Sequence, residues 1–178
     1  MKHSIRSICL CAILCALMIV STLLLRFTIP GTTVMVTSQL FFVVLYGLMF
    51  RAQTCVFALG AYLLLGLIGL PVFSGVCGPA VIFTPSFGYL VGFVAAAAVA
   101  AWLMKRFGNA WIAGFAGLVT VYLVALPIIA LVAPGKALGA FLGAYCLPFL
   151  PLDTTKVILA VLVAKALRKR LPSSLLMA

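Results

Sequence analysis

Asp153 and Lys156, three positions apart, are where chemistry first concentrates in this 178-residue sequence. Asp153 is the only acidic residue, set against twelve lysines and arginines. On a helix a spacing of three puts both side chains on one face, where they pair directly or share a polar ligand. Both follow Pro148-Phe149-Leu150-Pro151-Leu152. Pro151 suits a first helical turn, where its missing N–H costs nothing, and it places Asp153 near the positive end of the helix dipole. An ionisable residue within a membrane span costs about 2.5–3.5 kcal/mol on insertion scales, so two in one turn need a reason. One reading is the polar floor of a ligand site. The other is a self-satisfied ion pair at the membrane interface, helped by Thr154 and Thr155.

A single acid excludes two-metal sites, carboxylate dyads and paired-carboxylate acid/base catalysis, each of which needs at least two. The single histidine, His3, precedes the first apolar run, so triads and multi-histidine metal sites fall away as well. No GxxxxGK[ST] phosphate loop occurs: Gly135-Lys136 lacks the upstream glycine and the following hydroxyl. Any ATP-driven work therefore falls to a partner. The cysteines (Cys9, Cys11, Cys15, Cys55, Cys77, Cys146) form no CxxC and read as small apolar fillers. No cofactor is called for.

The elements that must position Asp153 and Lys156 are membrane helices. The chain is 67% hydrophobic and 7% charged, with mean hydropathy +1.40 and net charge +11, where a soluble domain carries about 25% charged residues. The expected fold class is all-α, an integral membrane protein of six transmembrane helices forming a single domain over residues 1–178. The spans fall near 8–25, 39–50, 52–68, 88–104, 110–132 and 152–167, with a short helix at 138–146 before the last. Pro30 to Thr33 punctuates the first connection, and the stretch from Val34 to Thr37 offers to lengthen the short second span.

Placing both termini in the cytoplasm puts Lys2, Arg6, Arg51, Lys105, Arg106, Lys165, Arg168, Lys169 and Arg170 inside, leaving Arg26 and Lys136 outside. That satisfies the positive-inside bias, and the opposite topology inverts it. The cations are spread over loops, so nucleic acid is not a partner; the lipid bilayer is, with anionic headgroups facing Arg168 to Arg170.

Between the third and fourth helices runs an uncharged, Gly/Pro-rich extracytoplasmic loop from Gly69 to Gly88. Irregular backbone at membrane depth is tolerated where it is buried in protein or lines a cavity, so the loop is expected to border one. Phe73, Phe83, Phe87 and Tyr89 offer apolar walls, Ser74 and Ser86 hydrogen-bond partners, and Gln39 a further amide from the start of the second span. On the first helix, Ala12 and Ala16 form an AxxxA that lets another helix approach closely.

GLIGLPVFSG (residues 66–75), SFGYLVGF (86–93) and PFLPLDTTKVILAVLVAKALRKR (148–170) together resemble the BioY family of biotin transporters, the substrate-binding S components of energy-coupling factor importers. The resemblance implies that Asp153 and Lys156 contact the bicyclic head of biotin and that Gln39 matches the family's glutamine; the loop carrying Phe73, Ser74 and Gly75, read from its own residues as a lid, lines the site with Ser86 and Tyr89. It also implies that Ala12 and Ala16 dock on a transmembrane coupling protein driven by two ATPase subunits. The setting is then the bacterial cytoplasmic membrane, and the protein is not an enzyme. Thr84 departs from the family pattern, where many relatives have glycine before the proline. Beyond Arg26, no arginine near the site offers itself to the biotin carboxylate. The competing readings are an S component for a different vitamin, a membrane enzyme and a non-catalytic assembly subunit.

Overall fold

Residues 5–28, 35–134 and 138–170 are described in the computed structural model of the chain. Lys2, His3, the punctuation from Pro30 to Thr33 with Val34, and Gly135-Lys136 lie outside the described residues. The element order is α1 (Ile5–Leu24), β1 (Arg26–Thr28), β2 (Met35–Thr37), α2 (Gln39–Met49), α3 (Ala52–Ile68), a short 3-10 turn (Pro79–Phe83), α4 (Pro85–Phe107), α5 (Ala110–Val132), α6 (Leu138–Tyr145) and α7 (Leu150–Arg170).

Apart from the irregular segment from Gly69 to Gly78 and short turns, the described chain is helical but for one antiparallel ribbon, with Arg26 opposite Thr37, Phe27 opposite Val36 and Thr28 opposite Met35. Met35–Thr37 therefore does not lengthen α2 as a helix. Its backbone pairs across the ribbon instead, and the amide of Ser38 donates to the carbonyl of Leu25 at 3.2 Å.

Among the described residues, four stretches are long and apolar enough to cross a membrane: Ser7–Leu24, Pro85–Phe107, Ala110–Val132 and Leu142–Arg170. α2 and α3 are apolar but shorter; at 1.5 Å per residue, the eleven residues of α2 span only about 16 Å. Large apolar side chains also cover the outside, among them Leu64, Leu123 and Leu131. Helices apolar on every side suit a lipid solvent, and the protein is a multi-pass membrane protein.

α5 lies along α4, joined to it by a two-residue connection. Gly108, at φ 68°, ends α4 in the left-handed conformation that glycine adopts without strain. The Asn109 side chain then caps α5, accepting from the amides of Trp111 (2.9 Å) and Ile112 (3.4 Å). Gly92 lets the two backbones close up, since a Cβ there would sit 2.9 Å from the carbonyl oxygen of Val121. α7 packs against α2 and α5, with Val157 and Val161 meeting Val44 around Gly114. α1 packs chiefly on α3. α4 begins at Pro85 rather than at Gly88, because Pro85 occupies its first turn; α7 likewise begins at Leu150 and carries Pro151 there.

Candidate functional site

Asp153 sits one turn into α7 and is buried. One carboxylate oxygen accepts from the Lys156 ammonium at 2.7 Å, the other from the Tyr122 hydroxyl of α5 at 2.8 Å. The backbone amide of Asp153 donates to the carbonyl of Phe149 at 2.8 Å, which seats the residue in its helical turn. Lys156 keeps 18% and Asp153 11% of its side chain exposed. The pair therefore faces an opening. A carboxylate has about four lone-pair positions, so both oxygens keep capacity for further donors, and an ammonium with one of its three protons engaged keeps two.

Opposite lies a second, uncharged cluster centred on the Tyr62 hydroxyl of α3. It accepts from the Gln39 amide at 2.7 Å and donates to the carbonyl of Val72 at 3.1 Å. Thr22 of α1 lies 3.1 Å from the same oxygen. The Gln39 carbonyl oxygen in turn accepts from Thr37 at 2.7 Å. One tyrosine thus joins α1, α2, α3 and the segment after α3.

That segment, from Gly69 to Gly78, is irregular and folds back over the bundle. Gly69, at φ 107°, ends α3 in the left-handed region, and its amide and that of Gly78 both return to the carbonyl of Gly66, at 3.2 and 2.7 Å. The Phe73 ring lies against Gly66 where any side chain would collide with it, and it meets the Tyr62 ring edge-on at 5.3 Å. The segment is further held by Arg26, whose guanidinium donates to the carbonyl of Ser74 at 3.0 Å.

Between the two clusters is a cleft, about 660 Å3 with the open solvent at its mouth included. Asp153, Lys156, Gln39, Phe73, Ser74, Gly75, Ser86 and Tyr89 all line it. Phe83 and Phe87, expected as walls, do not; Phe83 is 80% exposed on the outer surface. Ala12 and Ala16 lie elsewhere, one turn apart on an exposed face of α1.

Sequence reasoning missed Phe149, Leu90 and Phe93, which complete the apolar wall, and Thr37 beside Gln39. It also missed Tyr122 and Tyr62, which hold the polar groups. A buried tyrosine hydroxyl needs a partner, and with one carboxylate in the chain the pairing of Tyr122 with Asp153 was open to inference. Nothing in the sequence marks Tyr62. The Tyr89 hydroxyl donates to the carbonyl of Tyr145, and its ring meets Tyr122 and Phe149 at centroid distances of 6.1 and 6.3 Å, so it is a wall held in place. The arrangement suits a small ligand with a polar, donor-bearing head and an apolar body.

The sequence model of the BioY family matches residues 1–173. The chain belongs to the BioY family. The biotin transporter BioY of Rhizobium etli is 31% identical over 176 residues, covering 92% of this chain and 93% of that protein. The BioY of Thermotoga maritima is 35% identical over 146 residues, covering 80% and 85%. A crystal structure of the S-component for biotin from an ECF-type ABC transporter superposes with a TM-score of 0.84 over 98% of this chain and 96% of that one. At 24% identity, that likeness speaks for a shared fold. This BioY chain therefore carries its cleft on a fold seen in a solved transporter component.

Proposed function

We propose that the chain captures biotin in this cleft and imports it as the substrate-specific subunit of an energy-coupling factor transporter. The observation that carries this reading is the only carboxylate of a BioY-family chain, buried at the cleft with acceptor capacity to spare. The ureido head of biotin offers two N–H donors and one carbonyl oxygen. The donors match the free lone pairs of Asp153, and the oxygen matches the remaining ammonium protons of Lys156. The thiophane ring and valerate chain meet Phe73, Tyr89, Leu90, Phe93 and Phe149. Gln39, Ser74, Gly75 and Ser86 complete the lining, with the Gln39 amide already oriented by Thr37 and Tyr62.

In this reading the chain is one domain with six passes, α2 and α3 being the shorter two, and both termini are cytoplasmic in a bacterial cytoplasmic membrane. The segment from Gly69 to Gly88 is then extracytoplasmic, and the cleft opens outward. Ala12 and Ala16, on the exposed face of α1, offer a close-approach surface for a transmembrane coupling protein whose ATPase partners supply the energy. The chain itself catalyses nothing and holds no cofactor.

The test is equilibrium binding of labelled biotin to the purified protein in detergent, challenged with unlabelled biotin, thiamine, riboflavin and lipoate. Saturable binding displaced by biotin alone is the expected result. Displacement by another vitamin, or no binding by protein shown to be folded, contradicts the proposal.

A further inference from the structure

At the end of the bundle away from the cleft, a second cavity lies between the α4–α5 connection and the last turns of α7. Phe107, Asn109, Trp111, Lys165, Arg168 and Lys169 are among its lining residues. Lys165, Arg168 and Lys169 stand at i, i+3 and i+4, so one face of α7 brings three cations together, where like charges repel. No side chain can neutralise them. The only acidic residue, Asp153, lies twelve positions away, about 18 Å along the helix, and already bonds Lys156 and Tyr122. The ammonium of Lys165 sits 4.9 Å from the centre of the Trp111 ring, at the helix end where interfacial tryptophans mark the headgroup level. Asn109 has turned its side chain onto the α5 amides, so the cavity draws its positive character from α7. Beside it, exposed Phe107, Ile112 and Trp102 continue onto the lipid-facing surface.

Three cations with no acidic side chain to pair with, at one end of the bundle, roofed by an indole and continuous with an apolar flank, call for an anionic phosphate that carries its own hydrocarbon. We propose that this cavity is a binding site for the phosphodiester headgroup of an anionic phospholipid, with the acyl chains lying along Phe107 and Ile112. The phosphate relieves the repulsion along α7 and ties its last turns to the α4–α5 connection. The proposal needs only that the chain spans a bilayer, and it stands or falls apart from the biotin reading.

Trp102 and Trp111 are the only tryptophans, so Trp102→Phe leaves Trp111 as the sole tryptophan, excited selectively at the red edge of its absorption, beside the cavity. The protein is reconstituted in phosphatidylcholine vesicles containing a minor fraction of phosphatidylglycerol, with bromine on the acyl chains of one lipid or the other. Trp111 is expected to be quenched by the brominated phosphatidylglycerol well beyond its mole fraction, each cation being worth roughly fivefold in local anionic lipid. Arg168→Gln with Lys169→Gln is expected to cut that enrichment severalfold, to what Lys165 alone sustains, while thermal unfolding of the same preparation, measured in parallel, is unchanged and certifies the fold. Quenching at the bulk mole fraction in the protein with all three cations overturns the proposal. So does enrichment that the double substitution leaves undiminished. Enrichment abolished by inorganic phosphate, at ionic strength matched with sodium chloride, assigns the cavity to free phosphate and overturns the lipid reading.

Discussion

Two tyrosines hold the polar groups that line the cleft, and they do different work. Tyr62 sits in a neutral cluster in which hydroxyl, amide and carbonyl groups satisfy one another, tying three helices and the segment after α3 together. Tyr122 sits in a charged one, where its hydroxyl and the Lys156 ammonium each take one oxygen of Asp153 and leave the carboxylate with capacity to spare. A neutral network held from four segments rigidifies, whereas a carboxylate with lone pairs to spare awaits a partner. The difference teaches that the Tyr62 side is scaffold and the Tyr122 side reads the ligand, so damage to them should register in different measurements.

The largest effect is expected from exchanging the charges, Asp153→Lys with Lys156→Asp. The ion pair survives on the same helical face, but an ammonium now meets the ureido donors. Biotin affinity should fall by about 4 kcal/mol, roughly a thousandfold, with the melting temperature little changed. Retained binding would make the pair a structural element and erase the contrast. Removing one partner, Lys156→Ala, should weaken binding by about 3 kcal/mol, since it strips a donor from the ligand and leaves the carboxylate poorly compensated; titration of labelled biotin measures it.

Tyr122→Phe and Tyr62→Phe form the sharpest pair, because each deletes one hydroxyl. The Tyr122 change is expected to cost about 2 kcal/mol of affinity, the worth of a hydrogen bond to a charged group. The Tyr62 change orphans the Gln39 amide and the Val72 carbonyl, and it should cost about 1–2 kcal/mol of stability in thermal unfolding with a smaller loss of affinity. Equal effects in both assays would dissolve the division of labour. Smallest of all is Arg26→Ala. The bond from Arg26 to the Ser74 carbonyl is exposed, so its loss should amount to about 0.5–1 kcal/mol, read as a few-fold faster dissociation of biotin as the segment over the cleft loosens.

How much of this was legible follows from the physics of each region. Charge is conspicuous in a chain with one acid, so Asp153 and Lys156 announced themselves. Pro151 placed Asp153 in the first turn of a helix, where the structure has it. The apolar runs located the helices because lipid exposure demands uninterrupted hydrophobicity. The ribbon of Arg26–Thr28 and Met35–Thr37 was not legible, since three-residue strands leave no period to detect. The Tyr62 cluster was hidden for another reason. It joins residues 22, 39, 62 and 72 across four segments, and only the fold brings them together. The outward position of Phe83 was also beyond reach, because Gly/Pro-rich backbone follows no periodicity that says which aromatic turns inward.

The most direct test of the central claim is a paired measurement on Asp153→Asn, which preserves shape while removing the charge: equilibrium binding of labelled biotin and thermal unfolding of the same preparation. A loss of binding of about 3 kcal/mol, with unfolding shifted by no more than a few degrees, is the predicted result. Binding as tight as that of the unsubstituted protein would contradict the assignment of Asp153 as the group that reads the ligand.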